Sequence, residues 1–302
     1  MTPPQQTAPG ALNWALLLLL SVIWGTAFMG VEIALRGQPP MWVAAGRTGL
    51  AALILTTAGQ ALGQGLSSIS GRRRWLFVAA FGMTAAALPF TLLSWGQQHV
   101  PSAFAGVSMG TVPLLTLLLV MVFSPEEGIG PRRIIGVVLG FIGLLVLVGP
   151  GALEQGSSLT LWGRLACVAS AACYAAGNVL TRRAPVIQPI AMAAGGMVVA
   201  TFILVPAALL TDGLPTWPNA GPGAALLWVA IGPTAIAAFL QVRVIRSAGS
   251  LFMSQVSYLV PLWSVVFGIT LLGEDLPPQL FIALALILTG IGFGQWSTLR
   301  RR

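Results

Sequence analysis

The sequence contains no lysine, one histidine and two cysteines, and only 7% of its 302 residues are charged. A soluble domain carries roughly 25% charged residues, so this composition cannot cover a surface that faces water. The single histidine cannot build a metal site, and no cofactor is expected. Cys167 and Cys173 lie six residues apart in one apolar run and would point to different faces of a helix. The shortage of charge indicates an integral membrane protein.

Long apolar runs are present instead, because 56% of the residues are hydrophobic. Runs of about 20 apolar residues have the length that an α-helix needs to cross a bilayer, and the alternation typical of a membrane barrel is absent. The connections are short, and the first 13 residues, which lack Arg and Lys, are predicted to form a tail rather than a cleaved signal. The sequence predicts an all-α membrane protein with these ten spans: Trp14–Leu35, Pro40–Gly63, Arg74–Leu93, Ala103–Phe123, Arg133–Val148, Leu161–Thr181, Pro189–Leu210, Ala224–Val244, Leu251–Leu272 and Gln279–Trp296.

The arginines predict the orientation of these spans. If the N-terminus is cytoplasmic, 12 of the 15 arginines fall in cytoplasmic segments and only Arg36 and Arg164 fall outside, while Arg47 lies within the second span. Cytoplasmic loops of membrane proteins carry this excess of positive charge. Both termini are therefore predicted to be cytoplasmic, and no nucleic-acid partner is expected from the net charge of +8.

One stretch of the chain occurs twice. Ser102–Glu127 recurs 148 residues later as Ser250–Asp275, with a matching Val-Pro-Leu triplet and a matching acidic pair at the end. Proline and acidic residues are rare here, so their agreement at one offset indicates an internal duplication. The predicted repeats are residues 14–150 and 160–298. Each holds five spans, an odd number, so the second repeat is expected to be inverted, with a binding site between the halves near the bilayer midplane.

Several motifs have a known counterpart. They are Trp24 to Phe28, Arg47, Ser102 with Val112-Pro113-Leu114 and Glu126, Ala172-Cys173-Tyr174, and Ser250 with Val260-Pro261-Leu262 and Glu274. In this order they resemble the EamA-type, ten-helix members of the drug/metabolite transporter superfamily. The resemblance implies an inner-membrane carrier that usually exports amino acids, metabolites or drugs, and the inverted repeats predict that it works by alternating access. It also implies a central cavity lined mainly by spans 1, 3, 4, 6, 8 and 9.

The spans that the resemblance places around this cavity contain few polar or aromatic residues. A carrier needs such groups at depth to replace the hydration of its solute. Aromatic walls with a few amides suit a neutral or zwitterionic amphipathic solute, although interfacial anchoring or packing is an open alternative for the tryptophans. The candidate binding residues are Trp24, Phe28, Trp95, Ser108, Tyr174, Asn178, Gln241, Gln255, Tyr258 and Trp263.

Each charged or kinked position has a structural and a functional interpretation. Glu32 is placed near the outer interface, where it is hydrated, with a gate, a contact to a substrate ammonium or proton coupling as alternatives. Arg47 is expected to bond helix-end carbonyls or Glu32, or to bind a substrate carboxylate. His99 is a solvated loop residue or a titrating one. Pro113 and Pro261 are expected to kink their helices, as gating elements or as simple curvature.

The resulting functional prediction is a secondary transporter that exports amino acids, aromatic ones among them, or related small metabolites. A proton antiporter of cationic drugs is the alternative. A membrane-embedded enzyme is disfavoured because no catalytic cluster is present, and a channel because no polar stripe follows several helices. The absence of a Walker A sequence excludes ATP as the energy source within this chain. The expected partners are a small-molecule substrate and the lipid bilayer, and a homodimer is a further candidate.

Overall fold

The computed structural model describes residues 10–123, 131–149, 158–216 and 218–299. Within these ranges every extended regular element is helical and no strand is present, as the sequence predicted. The helical stretches are numbered in chain order as α1 Ala11–Leu35, α2 Pro40–Ala61, α3 Arg72–Gly96, α4 in two pieces Ser102–Met109 and Val112–Phe123, α5 Pro131–Val148, α6 Ser158–Arg183, α7 Pro189–Asp212, α8 Ala220–Ala248, α9 in two pieces Ser250–Met253 and Val256–Leu272, and α10 Pro278–Leu299.

Seven of these helices are long and apolar enough to cross a membrane. They are α1, α2, α3, α4, α6, α7 and α8, and the apolar parts of α5, α9 and α10 are shorter. The helical membrane class is therefore confirmed. The count of ten spans remains a prediction for the three shorter helices.

The helix contacts occur in equivalent pairs. The contact α1–α9 is equivalent to α6–α4, and the contact α3–α6 is equivalent to α8–α1. The contact α3–α7 is likewise equivalent to α8–α2. The pairs α2–α7, α4–α9 and α5–α10 join helices that are five apart in the chain. All of these contacts join the two halves, and exchanging each helix for the one five positions away converts one member of each pair of contacts into the other.

Two helices contain a π-helical turn, at Met83–Ala87 in α3 and at Ile231–Ile236 in α8. The two turns begin 148 residues apart, the same offset that relates the two sequence repeats. A π turn breaks the regular ladder of backbone hydrogen bonds and occurs often at functional sites. Both halves therefore carry an irregular turn at an equivalent depth.

Glycines allow close approach of α5 and α10. A side chain at Gly290 would lie 2.6 Å from the Gly136 carbonyl oxygen and 3.0 Å from the Gly140 Cα atom. In a bilayer, small residues allow helices to gain packing contacts that lipid cannot supply. Gly136, Gly140 and Gly290 therefore allow the backbones of α5 and α10 to pack directly against each other.

The two predicted kink prolines have different surroundings. Helix α4 is interrupted at Gly110 and Thr111, and Pro113 is the second residue of its second piece. Pro261 lies inside α9, whereas the interruption of α9 comes earlier, at Ser254 and Gln255. A proline cannot donate to the carbonyl one turn before it, so the break in α4 falls where Pro113 removes a helical bond.

Candidate functional site

Five helices bring polar and aromatic side chains together near the middle of the bundle. We call this group the central cluster. Its members are Trp24 of α1, Arg47 of α2, Phe90 of α3, Tyr174 of α6 and Thr234 of α8.

Arg47 holds the central cluster together. Its Nε–H donates to Thr234 Oγ1 at 2.9 Å, and its guanidinium carbon lies 3.7 Å from the centre of the Phe90 ring. The Thr234 hydroxyl in turn donates to the Val229 carbonyl at 2.9 Å, within the π-turn region of α8. Phe90 contacts Tyr174, with ring centroids 6.5 Å apart. One arginine therefore connects α2 with both helices that carry a π turn.

Trp24 reaches the same part of α8. Its indole N–H donates to the carbonyl of Pro233 at 3.1 Å, and Pro233 precedes Thr234 directly. Indole nitrogens usually find a partner when buried, and here the partner is a carbonyl in an irregular turn. Trp24 on α1 and Arg47 on α2 thus donate hydrogen bonds to adjacent residues of α8.

Arg47 is a buried charge that lacks an acidic partner. Its side chain is 6% exposed, and it lies eight residues into α2, about 11 Å along the axis. In the part of the chain that the structure describes, no carboxylate pairs with it, and its hydrogen bond goes to a hydroxyl. The sequence placed its partner at helix-end carbonyls or at Glu32, and the structure shows Thr234 and Phe90 instead. Such a charge is costly in a membrane unless another group compensates it.

Tyr258 has a hydroxyl that is buried and has no hydrogen-bond partner among the described residues. It lies on α9, and it packs against a buried hydrophobic core to which α1, α4, α9 and α10 contribute most of the residues. Gln241 on α8 and Gln255 at the start of the long piece of α9 are half-buried. Among the described residues, no hydrogen bond or ring contact joins these three side chains to the central cluster, and they remain candidates on burial and polarity alone.

Three other predicted binding residues serve helix packing in this structure. The Trp263 indole donates to Ser21 Oγ at 3.0 Å between α9 and α1. The ring of Phe28 is buried, and the Ser108 hydroxyl donates to the Phe104 carbonyl of its own helix at 2.9 Å. Satisfied groups of this kind offer little to a solute.

Trp95, His99 and Asn178 lie away from the central cluster. The rings of Trp95 and His99 meet edge to face at 4.9 Å near the end of α3. Trp95 also lines a surface cleft with Asp212. Asn178 is exposed, and its amide nitrogen lies 3.4 Å from the Thr116 hydroxyl. The structure does not bring these three residues together with Arg47.

Glu274 has a structural role that the sequence did not identify. Its carboxylate accepts hydrogen bonds from the backbone N–H groups of Ser102 at 2.6 Å and Ala103 at 3.0 Å. These N–H groups begin α4 and have no partner within the helix, so a carboxylate both satisfies them and matches the helix dipole. Half-buried Glu32 interacts electrostatically with Arg36 and Glu274 at the same end of the bundle. The predicted match to Glu274 in the first repeat, Glu126 with Glu127, lies outside the described residues.

Phe90 and Thr234 were absent from the sequence-based candidates. A signal for Thr234 was present, because Gly232-Pro233 interrupts an apolar span and irregular backbone at membrane depth usually lines a cavity. No signal marked Phe90. Within the described ranges, no group of three or more His, Cys, Asp or Glu residues is placed to hold a metal ion.

Sequence and structure comparisons identify the family. Residues 12–149 and 161–293 match the EamA-like transporter family. The inner membrane transporter YedA of Escherichia coli (strain K12) is 27% identical over 281 residues, covering 91% of this chain and 88% of YedA. A protein of Streptantibioticus cattleyicolor named "Probable terminal-alkyne amino-acid exporter" is 28% identical over 299 residues, covering 96% of this chain and 95% of that protein.

The fold also has a solved counterpart. One crystal structure superposes with a TM-score of 0.68 and 23% identity, covering 96% of this chain and 99% of the other. The resemblance drawn from Trp24 to Phe28, the two Val-Pro-Leu triplets and their companions is confirmed. The chain belongs to the EamA-like transporter family of the drug/metabolite transporter superfamily and is a multi-pass protein of the inner membrane.

Proposed function

We propose that the protein is a secondary exporter of amino acids or related small metabolites, aromatic ones among them, and that Arg47 binds the solute's carboxylate. The observation that carries this proposal is a buried guanidinium without an acidic partner in the described chain, placed where five helices meet. A guanidinium presents a planar fork of donors that matches a carboxylate, and its Nε–H···Thr234 bond leaves the two terminal amino groups available.

The surroundings of Arg47 support an amphipathic solute. Phe90, Tyr174 and Trp24 supply aromatic surface beside the charge, and such surface favours apolar or aromatic side chains. A relative of 28% identity is named as an exporter of an amino acid, which agrees with a carboxylate-bearing solute. Tyr258, with its unpartnered hydroxyl, is a further binding candidate on α9.

The alternative, proton-coupled export of cationic compounds, has weaker support. A cation would meet the positive charge of Arg47 at the centre, and that repulsion is strong where water is scarce. Glu32, the acid predicted within a span, lies three residues before the end of α1 beside Arg36 and Glu274, away from the central cluster. An enzyme is disfavoured because the family consists of transporters.

We infer alternating access between two inverted repeats, with both termini in the cytoplasm. The support comes from the 148-residue offset, the paired helix contacts, the matching π turns and the two ranges that match the family separately. Inverted repeats rock against each other around a site at their interface. The π turns of α3 and α8 flank the central cluster, so bending at these turns would open it to one side at a time. Tags after residue 302 and near Arg246 should report the same side of the membrane, and a tag near Asp275 the opposite side.

Flux through the purified protein tests the substrate class. Proteoliposomes that contain only this protein should release preloaded aromatic or short apolar amino acids faster than protein-free liposomes. The matching methyl esters, which lack the carboxylate charge, should leave no faster than from protein-free liposomes after correction for their own diffusion. A nucleoside and a cationic dye complete the panel. Release of the dye but of no amino acid would favour the cationic alternative, and failure of every solute would count against transport of these classes.

A further inference from the structure

Two surface clefts lie at opposite ends of the α2–α7 pair. The first has a cavity volume of about 430 Å³, and the second about 410 Å³. The first is formed by the chain after α2, the start of α7 and the last turns of α8, and is lined by Leu62, Gln64, Ile190, Phe239, Val242, Arg243, Arg246 and Ser247. The second is formed by the start of α2, the last turns of α3 and the end of α7, and is lined by Pro40, Met41, Thr91, Leu92, Trp95, Gln98, Thr211 and Asp212.

The clefts are equivalent in position but different in chemistry. Arg243 and Arg246 lie 148 residues after Trp95 and Gln98, so they are their equivalents in the second repeat. Equivalent faces of α3 and α8 therefore line the two clefts. The fold alone therefore accounts for a cleft at each end and does not account for two arginines in one of them. We call the cleft with Arg243 and Arg246 the basic cleft.

The basic cleft lies on the outside of the bundle, away from the central cluster. Thr234, which holds Arg47, and Arg243 are nine residues apart, or about two and a half helical turns, so they lie on opposite sides of α8. Ile236 lies seven residues before Arg243 on the same side and is 42% exposed. This face of α8 is therefore apolar towards the middle of the membrane and basic at its end.

The positive charges in the basic cleft are uncompensated. Arg243 and Arg246 are exposed, no acid lines the cleft, and neither arginine makes an ion pair within the described ranges. Gln64 lines the same cleft, and its side-chain oxygen is buried without a described hydrogen-bond partner. The cleft thus offers two cationic groups for an anion and one acceptor for a donor beside it, next to the apolar ring of Phe239.

We propose that the basic cleft binds the head group of an anionic glycerophospholipid, phosphatidylglycerol, from the leaflet that it faces. Arg243 and Arg246 contact the phosphate, a head-group hydroxyl donates to Gln64, and an acyl chain lies along Phe239 and Ile236. The distribution of arginines makes this the cytoplasmic leaflet, whose surface is negative. This site is separate from the central cluster and is independent of which solute is transported.

The test uses the full-length purified protein in neutral detergent. Native mass spectrometry measures the dissociation constants of phosphatidylglycerol and phosphatidylcholine, and thermal unfolding in each lipid checks that the fold is intact. The Arg243→Gln/Arg246→Gln variant should bind phosphatidylglycerol roughly 30-fold more weakly, from about a fivefold contribution per arginine, with phosphatidylcholine binding unchanged. The matched control is Arg72→Gln/Arg73→Gln, which removes two exposed arginines at the start of α3, outside the cleft, and should retain wild-type affinity.

Three outcomes overturn the proposal. Equal phosphatidylglycerol affinity of the cleft variant and the wild type would remove the site. An equal loss in the Arg72→Gln/Arg73→Gln control would show that surface charge, rather than the cleft, attracts the lipid. Displacement of the lipid by inorganic phosphate at millimolar concentration would show that the cleft holds a soluble anion instead of a lipid. Failure of the flux assay on amino acids would leave this result unaffected, because the two sites do not share residues.

Discussion

Replacement of Arg47 by glutamine separates carboxylate binding from simple packing. In the wild type, Arg47 Nε lies 2.9 Å from Thr234 Oγ1 and the guanidinium carbon lies 3.7 Å from the Phe90 ring centre. The glutamine amide keeps a hydrogen-bond donor near Thr234 but removes the positive charge beside Phe90. If the guanidinium binds the solute's carboxylate, the variant loses a charge-assisted pair worth about 3 kcal/mol, which is roughly 150-fold in the dissociation constant.

The stability of the empty protein should change much less than solute affinity. The hydrogen bond and the cation–π contact contribute about 1–2 kcal/mol each, and their loss is offset by removal of an unpaired buried charge. We therefore expect unfolding free energies of the wild type and Arg47→Gln to agree within about 1 kcal/mol. A large loss of stability with unchanged affinity would instead show that Arg47 serves packing alone.

The assay is equilibrium binding of a radiolabelled amino acid and of its uncharged methyl ester to detergent-solubilised protein. The wild type should prefer the acid, and Arg47→Gln should bind both equally weakly. Arg164→Gln is the matched control, because Arg164 also lies within a helix, donates to the Val148 carbonyl at 3.0 Å and sits 5.7 Å from the Phe104 ring. Equal affinity of wild type and Arg47→Gln for the acid would refute the assignment.

Three further predictions address single contacts. Tyr258→Phe removes a hydroxyl that is buried without a described hydrogen-bond partner, so the unfolding free energy of the solute-free protein should rise by about 1 kcal/mol. Its affinity for the solute should fall, and an unchanged affinity would show that Tyr258 does not bind the solute. Gly25→Ala places a methyl group against the Cβ of Trp263, so it should lower the unfolding free energy by about 1–3 kcal/mol in a thermal unfolding assay. The control is Gly292→Ala, where a methyl group meets open space, and this variant should be as stable as the wild type or more stable. Glu274→Ala removes the acceptor for the first N–H groups of α4 and should lower the unfolding free energy by about 0.5–2 kcal/mol, with Glu274→Gln intermediate. An unchanged unfolding free energy of Glu274→Ala would show that water replaces the carboxylate as the cap.

The helical class and the helix positions could be predicted because apolar length alone determines a membrane span. The predicted Pro40–Gly63 and Pro189–Leu210 differ from α2 and α7 by only two residues at one end. The 148-residue offset, found from Val-Pro-Leu triplets and acidic pairs, also relates the two π turns, which the sequence analysis did not predict. The helix bounds and the offset between the two repeats could therefore be read from the sequence.

The side-chain partners could not be predicted, for a physical reason. Lipid and protein interior accept the same apolar residues, so the periodicity that separates buried from exposed faces in soluble helices is weak here. Trp24 and Trp263 therefore looked alike, although one contacts the α8 turn and the other donates to Ser21. Phe90 gave no signal, because its importance comes only from the arginine above its ring.

The position of a bound solute tests the central claim most directly. A structure of the purified protein with a bromine-labelled aromatic amino acid would locate the ring by anomalous scattering and the carboxylate by density. The account predicts the carboxylate within about 3 Å of the Arg47 guanidinium, with the ring beside Phe90, Tyr174 or Trp24. A solute bound elsewhere, with Arg47 still paired only to Thr234, would contradict it.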